Sequence, residues 1–250
     1  MNEKQDTSNN LRVGTAFDSS SFAFGDSEKN EFQGFEMELI RAIGRELGRP
    51  VQISNINFEG LIQLLKSDHV DVIIAGLTIT DARKEIVSFS DPYYKSGLTA
   101  VVRADESEIN SVEDLAGKKI GVKIAATSSE FAKTIPNAEI HEYDLANDTF
   151  TVLKNGEIDA AINDKPLNDH AIASNQVTEV RIILPGILVE EDYGIAVRKD
   201  DVQLLQQINE ALKKLHESGE YARIYSKWFE APEEDQQQFS YTSLRNEISQ

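Results

Sequence analysis

A glycine, two threonines and an arginine follow a short apolar run in the first third of the chain. The run, residues 70–75, predicts a buried strand that ends at Gly76. Glycine lets a ligand approach the backbone closely, and the Thr78 hydroxyl can donate or accept a hydrogen bond. Arg83 offers a planar pair of N–H donors that matches a carboxylate. This spacing predicts a binding edge, although a helix N-cap at Thr80 followed by a solvated arginine fits the same pattern.

Two further polar features stand at the ends of predicted strands in the second half of the chain. Lys123 ends one strand, and Thr127 then begins a Thr-x-x-Glu capping box for the next helix. Asn163 and Asp164 end another strand, after which Pro166 suits the first turn of a helix. Ligand sites of α/β proteins lie at the carboxyl ends of strands. These residues are therefore candidate ligand contacts, with capping as the alternative role of Thr127 and Asp164.

The apolar patterning around these residues alternates between strands and helices. A strand-helix-strand-helix-strand run occupies residues 11–75, and a similar run restarts after residue 103, so the chain predicts two α/β lobes. Strands are predicted at 11–15, 51–53, 70–75, 98–103, 119–123, 159–164 and 193–197. Helices are predicted over residues 35–47, 61–65, 112–116, 204–215 and 221–229, and the first of these ends at Gly48. Three further helices are predicted by one end or by their cap. One begins at Thr127, one has Asn147 or Asp148 as its N-cap and ends at residue 154, and one begins at Pro166.

Composition limits the possible partners. The 250 residues carry a formal net charge of −18, with a pI near 4.6. Binding to nucleic acid or to an anionic membrane surface needs a basic surface, so we expect neither. No cysteine occurs, which excludes disulfides and thiolate metal sites. No apolar run approaches the roughly 20 residues that a membrane span needs.

Sequence signals of an enzyme are weak. The chain contains no G-x-S-x-G elbow, no phosphate-binding loop and no H-E-x-x-H motif. The histidines at positions 69, 141, 170 and 216 are scattered singly, without metal-ligand spacing. We therefore expect no catalytic residue, no cofactor and no metal.

The letters from residue 75 to residue 98, AGLTITDARKEIVSFSDPYYKSGL, closely resemble a stretch of the bacterial solute-binding proteins for polar amino acids. These are the extracytoplasmic receptors of ABC importers, and the resemblance covers about residues 11–229. It implies an α/β, two-lobed periplasmic-binding-protein-like fold in which each lobe is a mainly parallel sheet flanked by helices. It also implies a polar L-amino acid as ligand, and a membrane permease with its ATPase as partners. We expect a monomer outside the cytoplasm, and a lipid anchor in the native form stays open.

The resemblance assigns the chain to segments. Residues 11–92 and 194–229 form lobe 1, residues 98–188 form lobe 2, and the segments 93–97 and 189–193 cross between them as a hinge. The polar residues 1–10 are expected to be a flexible tether that follows a removed signal, with Met1 as an added start. The acidic, glutamine-rich residues 230–250 are expected to be a mobile tail that extends past the usual end of the family.

By the same resemblance, Arg83 and Thr78 hold the α-carboxylate of the ligand, helped by backbone N–H groups around Thr127. Asp164 pairs with the α-ammonium, which it shares with the Gly76 carbonyl and the Thr78 hydroxyl. The bound ligand draws the lobes together, and the loaded receptor then docks on the permease.

The identity of the ligand rests on four other positions. Phe58 is expected to lie over the aliphatic stem of the ligand. Ser19 stands where relatives usually have a second aromatic residue, which disfavours lysine and arginine as ligands because they gain from stacking. Lys123 matches a lysine that glutamine binders use near the ligand amide, and Asn163 stands where some of them have histidine. The sequence therefore favours glutamine first and glutamate second. The alternatives are a ligand-sensing domain of a receptor and a dehydratase-type enzyme on the same fold.

Overall fold

The structure is a computed structural model that describes residues 9–17, 21–26, 28–29, 31–175, 177–184 and 186–229. Ser19, residues 1–8 of the predicted tether and the predicted tail 230–250 lie outside the described residues. The strands are β1 Leu11–Thr15, β2 Phe24–Asp26, β3 Glu31–Gln33, β4 Val51–Asn55, β5 Val72–Ile73, β6 Val87–Phe89, β7 Tyr94–Arg103, β8 Lys119–Lys123, β9 Glu139–Tyr143, β10 Ala160–Asp164, β11 Val180–Ile182, β12 Val189–Tyr193 and β13 Ala196–Arg198. The helices are α1 Phe35–Leu47, α2 Leu61–Lys66, α3 Asp81–Lys84, α4 Thr127–Ala132, α5 Ala146–Lys154, α6 Lys165–Ala173, α7 Val202–Glu217 and α8 Glu220–Trp228.

The chain divides into two compact units. Among the described residues, unit 1 holds Phe22–Tyr94 with residues 9–17 and 193–229, and unit 2 holds Lys95–Asp192 with Ser21. The two main passages between the units, after Tyr94 and after Asp192, fall inside the segments 93–97 and 189–193. A hinge role for these segments and the lobe bounds stay predictions.

The sheet of unit 1 has the strand order β4-β1-β5-β13-β6. β1 is parallel to both β4 and β5, with Val13 opposite Ile53 and Val72. β13 is antiparallel to both of its neighbours, β5 and β6. β13 is therefore antiparallel to the other four strands, which all run in the same direction. The prediction of a mainly parallel sheet is confirmed for this unit.

Helix α1 covers this sheet with its predicted apolar stripe. Phe35, Leu39 and Ile43 are fully buried, because residues four apart lie on one face of a helix. Gly48 ends the helix in the left-handed conformation, with φ 66°, which glycine adopts without steric cost. The helix contacts α7 and α8, so the end of the described chain packs back on the lobe in which the chain begins.

The sheet of unit 2 has the order β11-β7-β10-β8-β9, with β12 also paired to β7. β8 is parallel to β9 and β10, whereas β7 is antiparallel to β10 and β11. Successive residues of β7 face separate apolar clusters on the two sides of the sheet, with Ala100 and Val102 on one side and Val101 on the other. Helices therefore cover both faces, as expected for a sheet of this kind.

Several local predictions were wrong. Strand pairing of the buried run 70–75 is limited to β5, and the predicted strand 193–197 is divided between β12 and β13. A 3-10 turn, Glu113–Leu115, replaces the predicted helix 112–116, and α5 starts earlier than predicted, with Leu145 at its N-cap. The short strands β2, β3, β6, β9 and β11, and the part of β12 before Tyr193, were not predicted from the sequence.

The proposed capping box at Thr127 is also wrong. Ala126 occupies the N-cap position of α4, without a side-chain cap hydrogen bond, and Thr127 is the first helical residue. The residue before this N-cap, Ala125, adopts the left-handed conformation, with φ 60°. The chain therefore turns into the helix at Ala126, one residue before Thr127.

A buried ion cluster closes the end of β5 that lies away from Gly76. The Asp71 carboxylate accepts hydrogen bonds from the Arg12 backbone N–H (2.9 Å) and from Arg12 Nη2 (2.6 Å) and Arg49 Nη2 (3.2 Å). Burial acts to raise the pKa of Asp71, but the hydrogen bonds and charges of the two arginines outweigh it and hold the pKa below its usual range. Asp71, an interruption of the apolar run in the sequence, is thus the centre of a charge network.

His216 makes the stability of unit 1 dependent on pH. Its ring stacks on Tyr221 at 3.9 Å between centroids, and burial lowers its pKa to about 4. Unfolding restores an ordinary pKa near 6.5, so the unfolded chain binds the extra proton first as the pH falls. We expect His216 to lower the free energy of unfolding by about 1–2 kcal/mol between pH 7 and pH 5.

The measurement is urea denaturation of the parent protein and of His216→Gln at both pH values. The other titrating groups are common to the two proteins and cancel in the comparison. The variant should lose less stability than the parent on acidification, and an equal loss in both would contradict the assignment.

No helix in the part of the chain that the structure describes combines the length and the apolar character of a membrane span.

Candidate functional site

The loop that follows β5 in unit 1 carries the predicted contacts Gly76 and Thr78. Gly76 has φ 57°, and a Cβ atom there would lie 3.4 Å from the ring of Tyr193. Its N–H donates to Oε1 of Glu36 at 2.6 Å. Thr78 is buried and forms an isolated antiparallel bridge with Tyr193. Glycine is therefore required by backbone conformation, and the loop is held on two sides.

Arg83 lies beside this loop because α3 begins immediately after it. Thr80 is the N-cap residue of α3 and accepts a hydrogen bond from the Arg83 N–H at 3.2 Å, so the capping role considered for Thr80 is correct. Arg83 is nevertheless only half-exposed, and its Nη1 donates to the Thr78 carbonyl at 2.8 Å. That bond uses one of the five N–H donors of a guanidinium, and is compatible with binding a carboxylate.

Phe58 completes the group in unit 1. It begins a 3-10 turn, Phe58–Gly60, that leads into α2, and its ring is half-buried against the apolar cluster under the sheet. The Arg83 Cζ atom lies 5.7 Å from the centroid of the ring, which is cation–π distance. Phe58, which is distant in the sequence, thus lies beside Arg83 of the stretch that also holds Gly76 and Thr78, and all four residues belong to unit 1.

The predicted contacts of unit 2 gather at the carboxyl ends of β8 and β10. Lys123 is the last residue of β8 and is 8% exposed. Asp164 ends β10 and is the N-cap residue of α6, yet its side chain makes no cap hydrogen bond. Thr127 begins α4 after β8. The capping role considered for the Asp164 side chain is therefore not seen.

Asn163 lies in a buried polar network next to Asp164. It is 2% exposed, and strand alternation turns it to the face of the sheet opposite that of Asp164. Its Nδ2 donates to Thr149 Oγ1 at 3.1 Å and to Asn168 Oδ1 at 3.2 Å, and Asn168 in turn donates to Thr99 Oγ1 at 2.6 Å. This network engages only the Nδ2 atom, and Asn163 Oδ1 has no hydrogen-bond partner among the described residues. Contact between Asn163 and a ligand amide stays a prediction.

Glu36, which was not among the residues predicted from the sequence, supports the loop of unit 1. Glu36 is 1% exposed and accepts hydrogen bonds from the Gly76 N–H and the Tyr93 hydroxyl. Burial, together with the charge and hydrogen bond of Glu36, raises the pKa of Tyr93 well above its usual value, so Tyr93 stays a donor. The sequence does contain a signal of this burial. Glu36 lies at helical spacing from the apolar residues Ile40 and Ile43, so it is a charged residue on the apolar face of α1.

The described parts of the chain contain no group of three or more His, Asp or Glu side chains that could hold a metal ion.

Comparison with known proteins identifies the family. Residues 11–231 match the family model of the bacterial extracellular solute-binding proteins, family 3. The chain belongs to this family. The solute-binding protein is 31% identical over 222 residues to the arginine-binding extracellular protein ArtP of Bacillus subtilis (strain 168), covering 88% of this chain and 86% of the relative. It is 30% identical over 220 residues to the glutamine-binding protein GlnH of an ABC transporter in the same strain, covering 86% and 79%.

Solved structures agree with the fold of this solute-binding protein. An ancestral arginine-binding protein bound to arginine has a TM-score of 0.83 at 38% identity, covering 89% of this chain and 99% of that one. One bound to glutamine has a TM-score of 0.80 at 38% identity, covering 88% and 98%. The periplasmic-binding-protein-like fold is therefore confirmed. The family description places the protein outside the cytoplasm, and the relatives carry the names of binding proteins rather than enzymes.

Proposed function

We propose that this solute-binding protein binds one polar L-amino acid, unchanged, as the receptor of an ABC importer, and acts as a monomer. The observation that carries the proposal is the group in unit 1, where a half-buried arginine lies over an aromatic ring beside a glycine-threonine loop. An arginine fork suits the carboxylate that every amino acid carries. The names of the relatives, which bind arginine or glutamine, support the same ligand class.

The contacts follow from the chemistry of an amino acid. Arg83 and the Thr78 hydroxyl take the α-carboxylate, with backbone N–H groups around Thr127 of unit 2 as further donors. Asp164 takes the α-ammonium together with the Gly76 carbonyl, and Phe58 covers the aliphatic stem. The ligand thereby contacts groups of both units, so its binding favours an arrangement in which the units close on it through the segments 93–97 and 189–193.

Glutamine is the proposed first ligand and glutamate the second. The support is Lys123, a buried cation at the end of β8. It would donate to an amide or a carboxylate and repel a guanidinium or an ammonium group. Asn163 is the proposed acceptor for the N–H donors of the ligand amide, through the Oδ1 atom that has no partner among the described residues. The relatives named for arginine make arginine the main competitor.

Isothermal titration calorimetry with each of the twenty amino acids tests this function. We expect saturable heat with glutamine, a weaker response with glutamate and the weakest of the three with arginine. Absence of heat with every amino acid would refute the function, and tight binding of arginine without glutamine would refute the ranking. Product analysis after long incubation distinguishes binding from a dehydratase activity. Genes for an ATPase and a permease beside this gene would distinguish a transport receptor from a sensing domain.

Replacing Asp164 with asparagine tests the ammonium contact and closure together. Loss of a charged hydrogen-bond partner costs on the order of 2–3 kcal/mol, so we expect affinity for glutamine to fall about 30- to 150-fold. X-ray scattering of the parent should show compaction that saturates with ligand and that the variant lacks at the same concentration.

Asp169→Asn provides the matched control for this test. Asp169 lies on α6 five residues after Asp164 and pairs with Lys165 at the surface. Its replacement should leave both affinity and compaction unchanged. A parent protein that binds tightly without becoming more compact would rule out closure.

A further inference from the structure

The carboxylate of Glu36 joins three segments of unit 1 that are far apart in the sequence. It extends from the first turn of α1, accepts the Gly76 N–H at 2.6 Å from the loop after β5, and accepts the hydroxyl of Tyr93 at the point where the chain leaves unit 1. Burying a carboxylate is costly unless hydrogen bonds compensate it. A purely apolar residue would fill the stripe of α1 without that cost, so packing alone does not account for Glu36.

The segment held by Glu36 is also fixed from the opposite side. Tyr193 lies against Gly76 and bridges to Thr78, and the Gly194 N–H donates to the Leu77 carbonyl at 3.2 Å. The Tyr93 N–H donates to the Tyr193 carbonyl at 2.9 Å, so the two chain passages are connected to each other next to the loop. The Glu36 carboxylate connects this pair of passages to the Gly76 amide, which the Tyr93 hydroxyl also approaches.

The carbonyl of Thr78 links the orientation of this loop to the position of Arg83. Because Arg83 Nη1 donates to that carbonyl at 2.8 Å, the orientation of the loop also sets the position of the guanidinium. Rotation of the peptide plane at Gly76 would displace the Gly76 carbonyl, which is the proposed acceptor for the ligand ammonium. It would also displace the Arg83 guanidinium, which is the proposed partner of the ligand carboxylate. Glycine has no Cβ to limit such rotation, so a hydrogen bond must limit it.

We propose that Glu36 is a positioning residue for the amino-acid site, holding the Gly76–Thr78 loop and Arg83 in their binding orientation through the Gly76 N–H. The proposal rests on the proposed function of this protein. Glu36 itself does not touch the ligand. Its acceptor oxygen, rather than its charge, is the required feature, because an amide-to-oxygen hydrogen bond needs only a lone pair at the correct place.

Calorimetric titration of three variants with glutamine tests the proposal. Glu36→Ala should bind at least tenfold more weakly than the parent, whereas Glu36→Gln, which keeps an acceptor oxygen, should bind within about threefold of it. Leu39→Ala is the matched control, because Leu39 is fully buried on the same helix. It should lower the melting temperature and leave the affinity within about threefold. Parent-like affinity in Glu36→Ala, weakness in Glu36→Gln equal to that of Glu36→Ala, or an equal loss in Leu39→Ala would overturn the proposal.

Amide hydrogen exchange supplies a readout that needs no ligand. The Gly76 amide should exchange slowly in the parent and in Glu36→Gln, and at least tenfold faster in Glu36→Ala. If the parent binds no amino acid, the proposed function fails, while the exchange pattern still decides whether Glu36 holds the loop. Equal exchange in all three proteins would overturn that role. Should Glu36→Ala not fold, Glu36→Met replaces it, because it fills the same space without an acceptor oxygen. It should also bind at least tenfold more weakly than the parent, and unchanged affinity would count against the proposal.

Discussion

Replacing Arg83 with alanine is expected to weaken amino-acid binding at least a hundredfold, which makes binding undetectable by calorimetry for a ligand of ordinary affinity. A carboxylate left without its guanidinium partner in a site closed to water loses on the order of 3–5 kcal/mol, as for a broken buried ion pair. Arg83→Lys should also be damaging, because an ammonium is a point charge and cannot bind a carboxylate through two parallel N–H groups.

Lys84→Ala is the control for this prediction. Lys84 follows Arg83 on α3, is half-exposed and pairs with Asp81 at 3.3 Å on the surface. Its replacement removes one positive charge from the same helix without touching the proposed site, so affinity should change less than twofold. Parent-like affinity in Arg83→Ala would show that the ligand binds elsewhere. Circular dichroism of each variant checks that the fold is intact.

Replacing Asp71 with asparagine is expected to lower the free energy of unfolding by about 2–3 kcal/mol. The cost of removing one partner from a buried ion pair is about 3–5 kcal/mol, and the partial exposure of Arg12 and Arg49 reduces it. Since the folded-state pKa of Asp71 lies below its unfolded value, its stabilising contribution is present above about pH 4 and is lost as the pH falls further. The difference between parent and variant should therefore shrink in acid.

Asp68→Asn separates the buried charge from the exposed one in the same network. The Asp68 side chain is 66% exposed, although it pairs with Arg12 at 2.6 Å and with Arg198 at 2.8 Å, whereas that of Asp71 is 8% exposed. We expect Asp68→Asn to cost at most about 1 kcal/mol, as is usual for surface pairs. Urea denaturation measures both variants, and equal costs would contradict the importance of burial. Neither variant should change the affinity for glutamine, because Asp68 and Asp71 lie at the start of β5, whereas the loop that carries Gly76 and Thr78 follows its other end.

Local sequence was sufficient for the elements whose signals lie within one or two turns. The apolar stripe of α1 and its end at Gly48 were predicted correctly, because helical spacing and the left-handed glycine are local properties. The chemistry of Gly76, Thr78 and Arg83 was also visible, since residue type and spacing alone determine which groups a strand-end loop can present. The same residues carried the resemblance that identified the family.

Pairing between distant segments depended on the tertiary structure. No local pattern shows that the Glu36 carboxylate meets the Gly76 amide, or that Asn163 faces the core with Thr149 while its neighbour Asp164 does not. The N-cap of α4 likewise moved to Ala126 because of the conformation of the residue before it. A buried polar group must find a partner wherever the packed chain places one. Residue type therefore set what each side chain could do, and the packing of distant segments decided which partner it met.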